Sequence, residues 1–439
     1  MKTGLADKHS LRILCISPVF VPAADPEAFC GAKMVKALMQ SGAVVTVLSS
    51  SNFRERPVDS SALWDCVKEV VVDVPVPRSL NRLHSIAAAT RFQTPFDARW
   101  VGAAVHKVKL LHSEREFDLI YTRSLPIASH IVGFWCAKAL DLPWIANIND
   151  PWTSEFFPVD DTPKLSAFWT VANLFWLRRT IRNADLTTFP CRRLKDFHLR
   201  LAKLDQPAEV IPHIGYREKH ASQVPNGQFR LVHAGRLLAS EGRFSKAILM
   251  GLKAFLDSSS DAAADTRLIL VGPGDKETER LICEMGLHRN IEIVGRVNYE
   301  RSLDYIGSAS ACLLIESRVD EGIFFASKLA DYLAYGKPVL ALSPKIGTAA
   351  DLASRGELIR VDHDSEAVRD ALAMLYSEFK NGALSSRRPS EQLQTQVQSQ
   401  TIAGKFLSTC QTLTSTRSES RAARWERIKK QGPLFEQSF

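Results

Sequence analysis

The sequence predicts an α/β protein of two tandem domains, each a doubly wound parallel sheet, facing each other across a cleft. Three observations carry this expectation. Strand-length apolar runs alternate with segments of helical period along most of the chain, the pattern of βαβ units whose sheets are covered on both faces. The pattern breaks in a polar stretch around 216–227 and then restarts. The 439 residues, 45% hydrophobic and 24% charged, suit two or three domains of ordinary globular composition and exclude disordered, collagenous and coiled-coil classes for the bulk of the chain.

Taken in order, Leu11 to Pro22 opens as a buried-type strand that breaks into a Pro- and Ala-rich loop. Gly31 then leads into a helix spaced by Met34, Ala37 and Leu38, and Ser41-Gly42 ends it before a strand at Val44 to Leu48. Further strands are expected at Val67 to Val74, Phe117 to Tyr121, Trp144 to Ile148, Ala184 to Phe189 and Val210 to Pro212, with helices at Pro126 to Leu140 and within Pro163 to Asn183. After the break, strands are expected at Phe229 to His233, Arg267 to Val271, Ile291 to Val294, Ala311 to Ile315, Pro338 to Leu342 and Leu358 to Arg360. The helices between them fall at Lys246 to Leu256, Lys276 to Met285, Tyr299 to Ser308, Ser327 to Tyr335 and Ser365 to Phe379. The domains are thus 1–215, a linker at 216–228, and 229–387. A C-terminal helix at 388–413 could pack back on the first domain, and 414–439 reads as a polar tail without a core face.

Lys and Arg number 56 against 48 Asp and Glu, a formal charge of +8, which suits an anionic partner but is too diffuse to be a nucleic-acid signature. The eight cysteines show no pair at metal-knuckle or thioredoxin spacing and read as buried apolar residues of a reducing compartment. The first apolar run lacks the features of a signal peptide, and no stretch of about 18 uncharged apolar residues exists to span a bilayer. A cytoplasmic protein is expected.

Ligands of open α/β sheets sit at the carboxyl ends of strands, where loop amides and helix N-termini face an anion. Three segments meet that rule. In Pro18 to Gly31, Gly31 could let backbone approach a phosphate or simply make a turn. Ala234-Gly235-Arg236 follows a strand directly and brings a permanently charged fork to the cleft, or to a surface ion pair. In Phe325 to Ala341, Ser327 is expected to cap a helix whose Lys328 and Asp331, three apart, share a face and could reach one ligand or merely pair with each other. Asp362-His363-Asp364 imitates a metal motif but stands where a helix cap belongs, and no catalytic metal is expected.

In order along the chain, these pieces resemble glycosyltransferase family 4, retaining enzymes with the GT-B fold of two Rossmann-like domains. The resemblance runs to about Leu413 and is carried by Ser17-Pro18, Ile148-Asn149-Asp150-Pro151-Trp152, Ala184-Asp185, Val210-Ile211-Pro212, Ala234-Gly235-Arg236-Leu237, Val271-Gly272-Pro273-Gly274 and Ser327-Lys328-Leu329 through Gly336-Lys337-Pro338. It implies a metal-independent, hexosyltransferase-like enzyme moving a sugar from a nucleotide-diphosphate donor, its substrate and not a cofactor, to an acceptor hydroxyl. Arg236 would bind the diphosphate and Asp331 the ribose, with Gly31, Gly235, Glu321, Ser327 and Lys328 completing the donor site. The second phosphate cation would be Lys328, Arg243 or another residue, and Asn149 stands at the turn where the family commonly has a histidine contacting the donor sugar, with Asp150 beside it as a further candidate catalytic residue. The chain departs from the pattern at Glu241, where the family often has Lys, and at Ile323, the first place of a glutamate pair, with Glu321 two residues away. Those departures keep two rival readings in view, a non-catalytic nucleotide-sugar-binding scaffold and a GT-B sugar-nucleotide epimerase.

On the acceptor side, cations interleave with aromatics at Arg78, Arg82, Arg91, Phe92, Phe96, Arg99, Trp100, Lys107 and Lys109, then at Phe168, Trp169, Phe175, Trp176, Arg178 and Arg179. Such a face suits an anionic bilayer surface, whereas the same rings could instead fill the core. The resemblance to enzymes that build cell-surface polysaccharide or glycolipid favours a glycan or lipid-linked acceptor and a peripheral position on the cytoplasmic membrane face, with no nucleic-acid partner.

Overall fold

The computed structural model describes residues 10–51, 59, 61–76, 95–152, 167–217, 227–237, 239, 244–430, 432, 434–435 and 439, without the side chains of 95–97 and 167. The amino-terminal domain runs β1 (Arg12–Ile16), α1 (Pro26–Gln40), β2 (Val44–Ser49), α2 (Ala62–Val67), β3 (Val71–Asp73), α3 (Pro95–Glu114), β4 (Leu119–Arg123), α4 (Ala128–Leu140), β5 (Trp144–Asn147), α5 (Ala167–Asn183), β6 (Leu186–Phe189), α6 (Arg192–Ala202) and β7 (Ala208–Val210). Its seven strands are parallel, ordered β3-β2-β1-β4-β5-β6-β7. The strands read as apolar runs because helices cover both faces; all five residues of β4 are buried.

The second domain continues with β8 (Phe229–Ala234), α7 (Lys246–Asp257), α8 (Ser260–Asp265), β9 (Thr266–Val271), α9 (Lys276–Glu284), β10 (Ile291–Gly295), α10 (Tyr299–Gly307), β11 (Ala311–Ile315), β12 (Glu321–Gly322), α11 (Ser327–Ala334), β13 (Val339–Leu342), β14 (Ile346–Gly347), α12 (Thr348–Ser354), β15 (Ile359–Val361) and α13 (Ser365–Lys380). Six of its strands form a parallel sheet, β10-β9-β8-β11-β13-β15, and β12 pairs with β14 apart from it. Strand order reverses between β1 and β4 in one sheet and between β8 and β11 in the other. The carboxyl ends of those strands are where a ligand crevice forms.

Three expectations change. The run Val67 to Val74 is strand only at Val71–Asp73, because Val67 ends α2 and a single 3-10 turn follows. Helices α3 and α6 were not expected. The stretch 414–439 is not a bare tail: after α14 (Glu391–Gln396) and α15 (Ser399–Ser415), helix α16 (Arg421–Lys430) docks on the amino-terminal domain, and Ile428, Leu434, Phe435 and Phe439 are buried. The apolar residues there are too widely spaced to show a helical face in sequence, and distant partners bury them. Helix α15 crosses back to α1, with Phe406 edge-on to Tyr121 at 4.9 Å. One continuous apolar core therefore runs through both domains and the return helices, and a second fills the outer face of the carboxyl-terminal sheet. No helix among the described residues is long and apolar enough to cross a membrane.

Candidate donor site in the interdomain cleft

At the carboxyl end of β8 the chain turns at Gly235 with φ +111°, a left-handed conformation suited to glycine. A Cβ there would lie 2.9 Å from Nζ of Lys328, so the glycine also makes room for that ammonium. His233, one residue before the strand's end, holds Lys328 in place. Its Nδ1 lies 2.9 Å from the carbonyl of Leu313, which can only accept, so Nδ1 carries the proton and Nε2 accepts from Lys328 at 3.2 Å. Burial, reinforced by the Lys328 charge, pushes His233 down to about 3, which keeps the ring neutral. Arg236 follows, exposed. Gly235, Arg236 and Lys328 thus meet at the switch point of the sheet, as an anion site requires.

Asp331 does not join them. Its Oδ1 accepts from Lys33 Nζ at 3.1 Å, from the Tyr216 amide at 2.9 Å and from the Tyr299 hydroxyl at 2.9 Å, and its side chain is 7% exposed. The expectation that Lys328 and Asp331 serve one ligand is corrected here. The longer side chain reaches the β8 turn, while the short carboxylate is drawn to the cation of α1 across the domain boundary. Gly215 admits this contact, since a Cβ there would sit 2.2 Å from the Ala330 carbonyl. Ser327 is the first helical residue; the cap is Ala326, and no side chain caps the helix. Glu321 accepts from Arg193 at 2.7 Å, and the same guanidinium grips both oxygens of Asp351, so Glu321 is part of a bridge between α6 and the second domain. Ile323 is fully buried, and its carbonyl accepts from the Cys191 thiol. The apolar residue at the first place of the glutamate pair is thus explained by domain packing. Asp364 caps α13 through the amides of Glu366 and Ala367. Glu241 and Arg243 lie outside the described residues.

The opposite wall is built on the switch point of the first sheet. Gly31 lies inside α1 and not in the loop before it, because Asp25 caps the helix and Pro26 starts it. As a correction, it offers no backbone to a phosphate; instead it lets Phe20 and Arg123 pack against the helix, 3.2 Å and 3.4 Å from where a Cβ would be. Asn149 donates to Glu27 at 2.6 Å, and Arg123 donates to the other oxygen of Glu27 at 2.9 Å. Burial pushes Glu27 up to about 7, against the lowering pull of Arg123, with Asp150 adding to the rise. Asn149 is therefore held by Glu27 and, through it, by Arg123, two residues the sequence reading missed, while Asp150 lies close enough to repel the Glu27 carboxylate. The available signal was their position, at the first turn of α1 and the carboxyl end of β4. His213, beside the domain boundary, faces Phe325 at 6.0 Å and is pushed down to about 3 by burial and by the charges of Arg123 and Lys33.

On the expected membrane face, Trp100 and Trp176 are core residues, 0% and 4% exposed. Arg78, Arg82, Arg91 and Phe92, and the side chain of Phe96, lie outside the described residues. Phe168, Val171 and Phe175 of α5 and Trp135 of α4 are exposed.

Residues 31–213 match the model of a glycosyl transferase 4-like domain, and residues 228–378 that of the glycosyl transferases group 1. No curated protein matches the chain. Among solved structures, the Anabaena protein HepE in complex with UDP and glucose is 16% identical with a TM-score of 0.63, over 92% of this chain and 100% of that one. A sucrose-phosphate synthase from Thermosynechococcus elongatus is 17% identical with a TM-score of 0.63 over the same shares. A UDP-N-acetylglucosamine 2-epimerase is 11% identical, with a TM-score of 0.56 over 94% of this chain and 99% of that one. The two matched segments, one in each domain, and the paired parallel sheets agree: the chain is a glycosyl transferase of the two-domain GT-B fold, a glycosyl transferase 4-like domain followed by a glycosyl transferases group 1 domain.

Proposed function

We propose that this protein transfers a sugar from a nucleotide-diphosphate donor to an acceptor hydroxyl, with retention at the anomeric carbon and without a metal. The observation that carries the reading is the ammonium of Lys328, held over Gly235 by a neutral His233 and beside Arg236 at the switch point of the second sheet. In the reaction the anomeric C–O bond to the diphosphate breaks, passing through an oxocarbenium-like state, and negative charge collects on the leaving oxygens. Arg236 and Lys328 stabilise that charge. The acceptor oxygen bonds to the anomeric carbon on the face the diphosphate leaves, and its proton passes to the departing phosphate. Asn149, fixed by Glu27, and its neighbour Asp150 face the sugar from the other wall. Because Asp331 and Glu321 are engaged across the domain boundary, they act on the donor only through the geometry of α11 and β12.

The acceptor is a glycan or a lipid-linked sugar of surface polysaccharide or glycolipid synthesis, reached at an anionic membrane surface. The exposed rings of Phe168, Phe175 and Trp135 support that reading. The assay is release of nucleoside diphosphate from a panel of nucleotide sugars, UDP-glucose first, with and without acceptor and with a chelator present. Acceptor-dependent release, undiminished by the chelator, is expected. Epimerised donor without acceptor would establish the epimerase reading instead, and binding without turnover the scaffold.

A further inference from the structure

A second concentration of positive charge lies at the other end of the amino-terminal sheet, a strand length away from the cleft. There the end of α4, the start of β5, the end of α5 and the first turn of α16 surround a pocket of about 440 Å³. Lys138, Arg179, Arg417, Arg421 and Arg424 line it, against two carboxylates. Of these, Asp141 is 96% exposed, and Asp185 is already shared between the Trp144 amide and Arg424. The terminal nitrogens of Arg421 donate to the carbonyls of Ile181 and Arg182 at the end of α5. The Nε atoms of Arg179, Arg421 and Arg424 are buried with no hydrogen-bond partner among the described residues.

The sequence also sets these charges against the field of the helix. Arg421 and Arg424 stand in the first turn of α16, which has no acidic residue, at the end where a helix favours anions. Burial lowers Arg421 from the ordinary guanidinium value, Arg424 beside it pushes the same way, and Asp185 opposes them. A guanidinium keeps its proton in such a site, so a bound anion would relieve the charge that Asp185 only partly offsets.

We propose that this pocket binds a phosphate monoester, its oxygens accepting from the unpaired arginine N–H groups and its organic part lying against Phe134 and Trp144. Guanidinium forks match phosphate oxygens, and the volume exceeds what phosphate alone fills. The ligand is a soluble phosphomonoester or the headgroup of an anionic phospholipid, and the rim bears on both sources: Arg179 lies 4.4 Å from the ring centre of Phe134 and 5.5 Å from that of exposed Phe175.

The test uses the full chain carrying Arg236→Ala, which weakens phosphate binding in the cleft. Calorimetry with glycerol 3-phosphate reads the soluble ligand, and co-sedimentation with phosphatidylcholine vesicles, with and without phosphatidic acid, reads the headgroup. Binding in the first assay assigns a soluble monoester, and binding in the second alone assigns the lipid. In either case Arg179→Gln and Arg417→Gln each weaken it about tenfold or more, the factor that about 1.4 kcal/mol corresponds to. The exposed Arg417 keeps a folded variant available, and Arg289→Gln, with the same change of charge on the other domain, leaves binding unchanged. Equal binding by all three variants, or no binding in either assay, overturns the proposal.

Discussion

Lys328 and Asp331 sit one helical turn apart and do opposite work, and the difference is set by what each can reach. Lys328 spans to the β8 turn; Asp331 ends in a buried ion pair with Lys33. Arg236→Ala is expected to lower turnover about a hundredfold or more while the protein stays folded, as for loss of a charge-stabilising donor. Steady-state kinetics beside a circular dichroism spectrum checks this. Asp331→Ala behaves differently: it strands the Lys33 charge and costs about 3–5 kcal/mol of stability, measured by denaturant unfolding. A variant with unchanged stability but weakened nucleotide binding would return Asp331 to the ribose. His233 and His213 are held well below the ordinary histidine value, so unfolding lets each take up a proton as the pH falls. Their contribution is fully present above about 6.5 and is lost as the pH falls toward 3, with a slope of up to ~1.4 kcal/mol per pH unit for each. His233→Asn should flatten the lower limb of a stability profile against pH.

At the scale of the element, α11 and α16 each join parts that lie far apart in sequence. The buried face of α11, Leu329, Ala330 and Leu333, packs into the shared core, while its cation faces the β8 turn. Helix α16 has one fully buried apolar residue, Ile428, with Trp425 partly buried beside the core, and is further fastened by Arg421 to the end of α5 and by Arg424 to Asp185 just beyond it. Ile428→Ala is expected to cost about 2–4 kcal/mol, as for a buried large-to-small change. Hydrogen exchange should quicken first at α16 and the end of α5, and unaltered protection there would show that the helix does not depend on this contact. Periodicity revealed α11, whose apolar spacing is regular, but not α16, whose surface is mostly charged. Helix α6 escaped for a related reason: four of its eleven residues are buried among arginines and lysines, which cover the apolar stripe in a linear reading.

At the scale of the whole molecule, the domains are fastened by a small number of contacts over continuous apolar packing. Arg193 grips Asp351 and Glu321 across the boundary, and Lys33 meets Asp331. The Arg193 cluster is partly exposed, so a double-mutant cycle of Arg193→Ala with Asp351→Ala should give a coupling of about 1 kcal/mol or less, falling with salt. A coupling of several kcal/mol would mean that the pair closes the cleft by itself. Because β12 carries Glu321, loosening the pair should raise the donor KM more than it lowers kcat, which separates a positioning effect from loss of the charge carried by Arg236.

The sequence by itself determined the two parallel sheets, the break between them and the β8 turn with its glycine, arginine and lysine. These depend on local periodicity, on turn chemistry and on the rule that anions meet the carboxyl ends of parallel strands. Only the folded structure showed that Gly31 is helical, and tertiary structure alone decided that Asp331 and Glu321 face the other domain, that Glu27 and Arg123 hold Asn149, and that the last residues are buried. Gly31 is helical through the local cap of Asp25 and Pro26, whereas the polar contacts named depend on partners more than 90 residues away in the chain, and neither hydrophobic period nor motif spacing encodes which distant charge a side chain will meet. The arginine pocket has the same origin, since Arg179 and Arg421 belong to helices that only the return of the chain brings together.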